Sequence, residues 1–158
     1  MKALIVDDSL IIGERLETML SEIPEIETVS QAKTESEAME LLHRLNPEVL
    51  LLDIQMRGGN GIDLLRKVKK ERPSPLVVVF TDLSDTRSRK KCMDAGADFF
   101  FDKSTDFDKL TEVLSEEPRA SARGSSKKKP YRFGSHAPKP LYWPFILVHS
   151  TGQSGFFT

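Results

Sequence analysis

Polar residues in this chain stand where apolar runs stop. "ALIV" (3–6) ends in Asp7 and Asp8, "VLLL" (49–52) in Asp53 and "LVVVF" (76–80) in Thr81, while "FFF" (99–101) passes through Asp102 to Lys103. A lysine so close to three phenylalanines is costly to bury unless an anion waits for it. Carboxylates brought together repel, so they take up protons or gather a cation. Hard oxygen ligands beside a water-filled position suit Mg²⁺, which favours phosphate oxygens as further ligands. Lys103 as a point charge and Thr81 as a hydroxyl donor would complete a pocket for a phosphoryl group. A carboxylate can itself accept that group, and Asp53, at the end of the most buried-looking run, is the candidate. No glycine-rich phosphate loop of the P-loop type is present, which disfavours nucleotide binding.

These residues converge only if their elements do. Between the apolar runs lie segments of helical period: Ile12, Leu16, Met19 and Ile23; Ala38, Leu41, Leu42 and Leu45 after a Thr34/Glu37 capping box; Ile62, Leu65 and Val68; and Phe107, Leu110 and Leu114 after Ser104 or Thr105 as cap. The stretch near 84–95 is more polar and stops at Gly96. A weaker strand, "IETVSQA" (26–32), alternates only in part and fits a sheet margin. Strand and helix thus alternate five times, which predicts an α/β fold with a parallel sheet covered on both faces. Ligands of such sheets sit beyond the carboxyl ends of the strands. That edge would receive Asp7, Asp8, Asp53, Thr81 and Lys103.

The formal charge of −1 hides a split. All 24 acidic residues lie within residues 1–118, whereas residues 119–158 carry seven basic residues and no acidic one. This predicts a domain over 1–117 and a tail over 118–158, linker-like at first ("PRASARGSSKKKP") and then apolar ("PLYWPFILVHS"). One reading docks the basic tail on the acidic domain; the plainer one leaves it disordered. A single cysteine, Cys92, excludes an intramolecular disulfide. No apolar run approaches membrane-spanning length and the start turns acidic too soon for a signal peptide, so a cytoplasmic location without membrane contact is expected.

Five stretches, "LIVDDS" (4–9), "LLLDIQM" (50–56) with Gly61, "VVVFTD" (77–82), "DAGAD" (94–98) and "FFFDKS" (99–104), resemble, in this order and spacing, the receiver domain of two-component response regulators. The resemblance covers about residues 1–117. It implies a flavodoxin-like doubly wound sheet of five strands in the order 2-1-3-4-5. It implies that Asp53 is phosphorylated by a sensor histidine kinase or phosphotransfer protein. Asp7, Asp8, Asp53 and the backbone carbonyl of Gln55 would hold Mg²⁺, and Thr81 and Lys103 would contact the phosphoryl group. Phe100 takes the switch position, with Phe99 and Phe101 as competitors. Three residues depart from the family pattern: Arg57 and Ser104 where proline is usual, and Asp82 where a small residue is usual.

The function expected is a phospho-accepting switch, not an enzyme, acting on a downstream protein target, with a homodimer as a further option. The tail is too short for a DNA-binding effector, so no direct nucleic-acid contact is expected. The alternative is the receiver part of a longer DNA-binding regulator. An aspartyl-phosphate phosphatase of the haloacid dehalogenase type is disfavoured because Gln55 stands where its second aspartate belongs. Each residue also has a plainer reading. Asp7 and Asp8 suit a helix N-terminus, Asp53 a turn, Thr81 a strand, Phe100 a core and Lys103 a solvated surface.

Overall fold

The computed structural model describes residues 1–57 and 59–121, with side chains through Glu116. Five strands alternate with five helices: β1 (Lys2–Val6), α1 (Leu10–Ser21), β2 (Thr28–Ala32), α2 (Glu35–Leu45), β3 (Val49–Leu52), α3 (Gly61–Val68), β4 (Leu76–Thr81), α4 (Thr86–Asp94), β5 (Phe99–Asp102) and α5 (Phe107–Ser121). All neighbouring strands pair in parallel, in the order β2-β1-β3-β4-β5. This is the flavodoxin-like arrangement expected from the sequence. Residues of the tail beyond Ser121 lie outside the described residues.

The continuous apolar runs are explained by the two covered faces. Successive residues of a strand point to opposite faces. Leu4, Val6, Leu50, Leu52, Val77, Val79 and Phe100 pack with α2, α3 and α4. Ala3, Ile5, Val49, Leu51, Val78 and Phe80 pack with Leu16 and Leu20 of α1 and Leu110 and Leu114 of α5. Each buried leucine contributes about 1.5–3 kcal/mol relative to exposure. The weakly patterned segment is an edge strand, and only Ala32 of β2 is buried.

The helices start where short polar side chains accept backbone N–H bonds. Ser9 accepts from Ile12 (3.4 Å) and Thr34 from Glu37 (3.2 Å). Glu37 reaches back to the Lys33 N–H (2.8 Å). Asn60 and Asp85 cap α3 and α4. Gly96 follows α4 with φ +104, a conformation L-residues rarely adopt. The start of α5 differs from expectation. The residue before Phe107 is Asp106, not Ser104 or Thr105. Its carboxylate accepts from the Asp102 N–H (3.1 Å) and Lys109 Nζ (2.5 Å), which ties the helix back to the end of β5.

Candidate functional site

Register brings the strand tips level. Val6 pairs with Leu52 and Leu52 with Val79, so Asp7 and Asp53 leave adjacent strands side by side. The Asp53 N–H donates to Val6 O (2.9 Å) and the Asp7 N–H to Ala32 O (3.1 Å). On the other flank Thr81 pairs with Asp102, and the Lys103 N–H donates to Thr81 O (3.1 Å). Lys103 begins two strands away from Asp53 and three from Asp7. Its long stem closes that gap, and Nζ lies 2.6 Å from both Asp7 Oδ2 and Asp53 Oδ2.

Burial makes this triad costly to assemble and tightly held. Asp7 and Asp53 are each 6 % exposed and Lys103 is 7 % exposed. The plainer reading of Lys103 as a solvated surface lysine does not hold: the ammonium is buried against two carboxylates, Asp53 and also Asp7. Burial disfavours the charged ammonium, but the hydrogen bonds and charges of Asp53 and Asp7 outweigh it and raise the Lys103 pKa. Burial also raises the Asp7 pKa, against the opposing pull of Lys103 and the Ser9 N–H. The second carboxylate oxygens are engaged as well: Asp7 Oδ1 accepts from Ser9 N and Asp53 Oδ1 from Gln55 N, both at 2.8 Å.

Asp8 stands at the half-buried rim, where Oδ2 accepts from the Arg57 N–H (3.0 Å) and lies 3.5 Å from Arg57 Nε. Thr81 is fully buried, and its hydroxyl oxygen accepts from the Leu83 N–H (3.3 Å). The loop after Asp53 is pinned from below by Ile54 and Met56, both buried. A Cβ on Gly61 would come within 2.4 Å of Ile54 Cα and 2.8 Å of Asp53 O, so only glycine allows α3 to begin against the residues that follow β3. Phe100 is 3 % exposed, on the α2–α4 face, with the Arg89 guanidinium 4.7 Å from its ring centroid. Phe99 and Phe101 stack on the opposite face, centroids 6.1 Å apart. The Lys103–Ser104 bond is trans; among the described residues the cis bond lies at Arg72–Pro73.

The sequence reading missed two anchors. Asp98 pairs with Lys69 and accepts from the Val77 N–H (2.8 Å), fastening β4 to the loop before β5. Asp106 fastens α5, as above. Among the described residues no three acidic, histidine or cysteine side chains stand in metal-holding proximity, and Lys103 Nζ lies against both Asp7 and Asp53. The donor chemistry nevertheless fits a hard divalent cation. Three carboxylates against the Lys103 ammonium and the Arg57 guanidinium at the rim leave one net negative charge at the cleft, and every donor is oxygen.

Residues 3–115 match the response regulator receiver domain, and the chain belongs to that family. Members generally use Mg²⁺ and exchange phosphoryl groups with histidine kinases or phosphotransfer proteins. The chain is 35% identical over 146 residues to a protein-glutamate methylesterase/protein-glutamine glutaminase of Alkalilimnicola ehrlichii, covering 88% of this chain and 36% of that protein. It is 32% identical over 124 residues to the nitrate/nitrite response regulator protein NarP of Escherichia coli, covering 78% and 56%. It thus spans well under two thirds of these relatives. Among solved structures, the response regulator domain of Thermotoga maritima CheB superposes with a TM-score of 0.66 at 28% identity, covering 78% of this chain and 96% of that one. A receiver domain from Colwellia psychrerythraea, at 22% identity and TM-score 0.70, shares the fold over 75% and 98%.

These relatives correct one expectation. The chain was expected to be no enzyme, yet several of its relatives carry the name of an enzyme, protein-glutamate methylesterase/protein-glutamine glutaminase. The match runs mainly through the receiver portion. No helix among the described residues is long and apolar enough to cross a membrane.

Proposed function

We propose that Asp53 is the phosphoryl acceptor of a two-component relay and that Asp7, Asp8, Asp53 and the Gln55 carbonyl hold Mg²⁺ beside it. The observation that carries this reading is the buried bridge from Lys103 Nζ to both Asp7 and Asp53 at the carboxyl edge of a parallel sheet. A carboxylate oxygen of Asp53 attacks phosphorus, the P–N bond of a phosphohistidine donor breaks, and the imidazole leaves with the electron pair and takes up a proton. The cation, when bound, neutralises charge on the transferring oxygens. Lys103 already faces Asp53 and meets the new dianion without a long movement. Thr81 accepts from Leu83 N in the present arrangement, so its own O–H remains to be donated to a phosphoryl oxygen. A turn of the Thr81 side chain would give up its bond from the Leu83 N–H, at the head of the loop into α4.

Phe100 is the proposed relay to the α4 face. It shares the α2–α4 side of the sheet, and Arg89 of α4 covers its ring. For the output, the enzyme-named relatives favour a receiver that governs a methylesterase or glutaminase effector; the likeness to NarP favours the receiver part of a longer response regulator. The proposed domain spans residues 1–117. Incubation with a small phosphodonor and Mg²⁺, read by intact mass, tests the acceptor. Wild type gains one phosphoryl mass and Asp53→Asn gains none; equal gain by both overturns the assignment.

A further inference from the structure

Among the described residues, the Asp8 carboxylate is held from across the cleft by Arg57. Arg57 contributes its backbone N–H (3.0 Å) and its Nε (3.5 Å) to the same oxygen, Asp8 Oδ2. Arg57 follows Asp53 by four residues, so the loop that carries the acceptor also carries a cation to the opposite acidic residue. The two halves of this grip differ. The backbone bond is fixed by a loop that Ile54 and Met56 bury, whereas the Arg57 side chain is 97% exposed and Asp8 only 24%. A guanidinium with that freedom leaves its partner at little cost.

We propose that the Arg57 side chain is a built-in competitor for the divalent cation, occupying Asp8 when Mg²⁺ is absent and swinging into water when it binds. The inference rests on Asp8 being a cation ligand, as in the functional reading above. Two cations near one carboxylate repel, so Arg57 weakens Mg²⁺ affinity and makes loading of the site depend on the Mg²⁺ concentration. An exposed arginine–carboxylate pair contributes about 0.2–1 kcal/mol, which sets the competition at roughly a 1.4- to fivefold change in affinity. Because the side chain is exposed, added salt screens the competition.

Calorimetric titration of the full chain with MgCl₂ tests this without reference to phosphorylation. Arg57→Ala keeps the backbone N–H that bonds Asp8 and removes the side chain beyond Cβ, guanidinium included. It should tighten the Mg²⁺ dissociation constant by about 1.4- to fivefold at low salt, with the gap closing as salt rises. Lys91→Ala, which removes a positive charge from the last turn of α4 at the opposite end of that helix from the cleft, should leave the constant unchanged. An unchanged or weaker constant in Arg57→Ala, while wild type still saturates, overturns the competitor role alone. Equal tightening by Lys91→Ala reduces it to a net-charge effect and overturns it too. Absence of Mg²⁺ binding by wild type sinks both this role and the metal site on which it rests.

Discussion

Lys103→Met deletes the ammonium but keeps most of the stem. It leaves Asp7 and Asp53, each 6 % exposed, facing one another without a counter-charge. Removing one partner of a buried ion pair costs about 3–5 kcal/mol. Lys103 serves two carboxylates through contacts of 2.6 Å each, which places the loss in the upper half of that range. For a domain of this size each kcal/mol lowers Tm by about 4 °C, so a fall of roughly 15–20 °C is expected near neutral pH in EDTA. Two conditions should reverse it. In the variant Asp7 loses the ammonium that opposes its burial, so its folded-state carboxyl pKa, raised already in the wild type, lies further above the unfolded value of about 3.9. The native state then binds more protons than the unfolded chain, so stability declines as pH rises through that window and returns in mild acid. Mg²⁺ in excess should also restore the melt, more in the variant than in wild type.

The wild type behaves differently for a stated reason. The Lys103 pKa is raised, so its contribution is fully present below the unfolded value of about 10.4 and is lost only as pH climbs through the folded value. Asp7 alone, raised by burial, gives a weaker decline of stability with rising pH. Thermal unfolding followed by circular dichroism, at mildly acid and neutral pH, with EDTA or Mg²⁺, reads all four conditions. A variant melting within about 2 °C of wild type in EDTA at neutral pH would refute the reasoning, because the two carboxylates would not then depend on the ammonium.

Gly61→Ala should cost about 2–3 kcal/mol and slow phosphoryl uptake, since the added Cβ meets backbone of Ile54 and Asp53 that cannot swing aside; a melt and an uptake rate equal to wild type would show that the loop can shift. Asp106→Ala should cost about 1–2 kcal/mol by orphaning the Asp102 N–H. Burial works against the Asp106 carboxylate, but Lys109 and the Asp102 N–H outweigh it and hold its pKa below the ordinary range. Its contribution is therefore present above the unfolded value of about 3.9 and is lost as pH falls through the folded value. Denaturation of both proteins from neutral pH into acid should show the gap closing only at the acid end.

Much of this architecture is legible because each functional residue touches, in sequence, the strand that positions it. An apolar run of four to six residues marks a strand buried on both faces, and the polar residue that ends it marks the ligand edge. What escaped the sequence lies at long separation. Lys69 and Asp98 are 29 residues apart, and Arg57 and Asp8 are 49 apart. No local pattern announces either pair. The start of α5 was misplaced because Ser104, Thr105 and Asp106 all suit a cap, and only the contact of Asp106 with the Asp102 N–H selects among them. The enzyme-named relatives were invisible for another reason: a receiver portion carries no chemical trace of what it is joined to.

Strand parity goes further than the reading used it. Asp7 continues the face of Ala3 and Ile5, Asp53 that of Val49 and Leu51, and Lys103 that of Phe99 and Phe101, all on the side of α1 and α5. Thr81 continues the face of Val77 and Val79, which is also the face of Phe100. Counting by twos from the apolar runs therefore selects Asp7 over Asp8 as the second partner of Lys103, and joins Thr81 to the middle phenylalanine rather than its neighbours. The charge-bearing triad sits on one side of the sheet tips, and the hydroxyl and aromatic ring sit on the other. Under the proposed switch, Thr81 at the end of β4 stands between the two sides, next to Asp102 of β5 and one strand from Asp53.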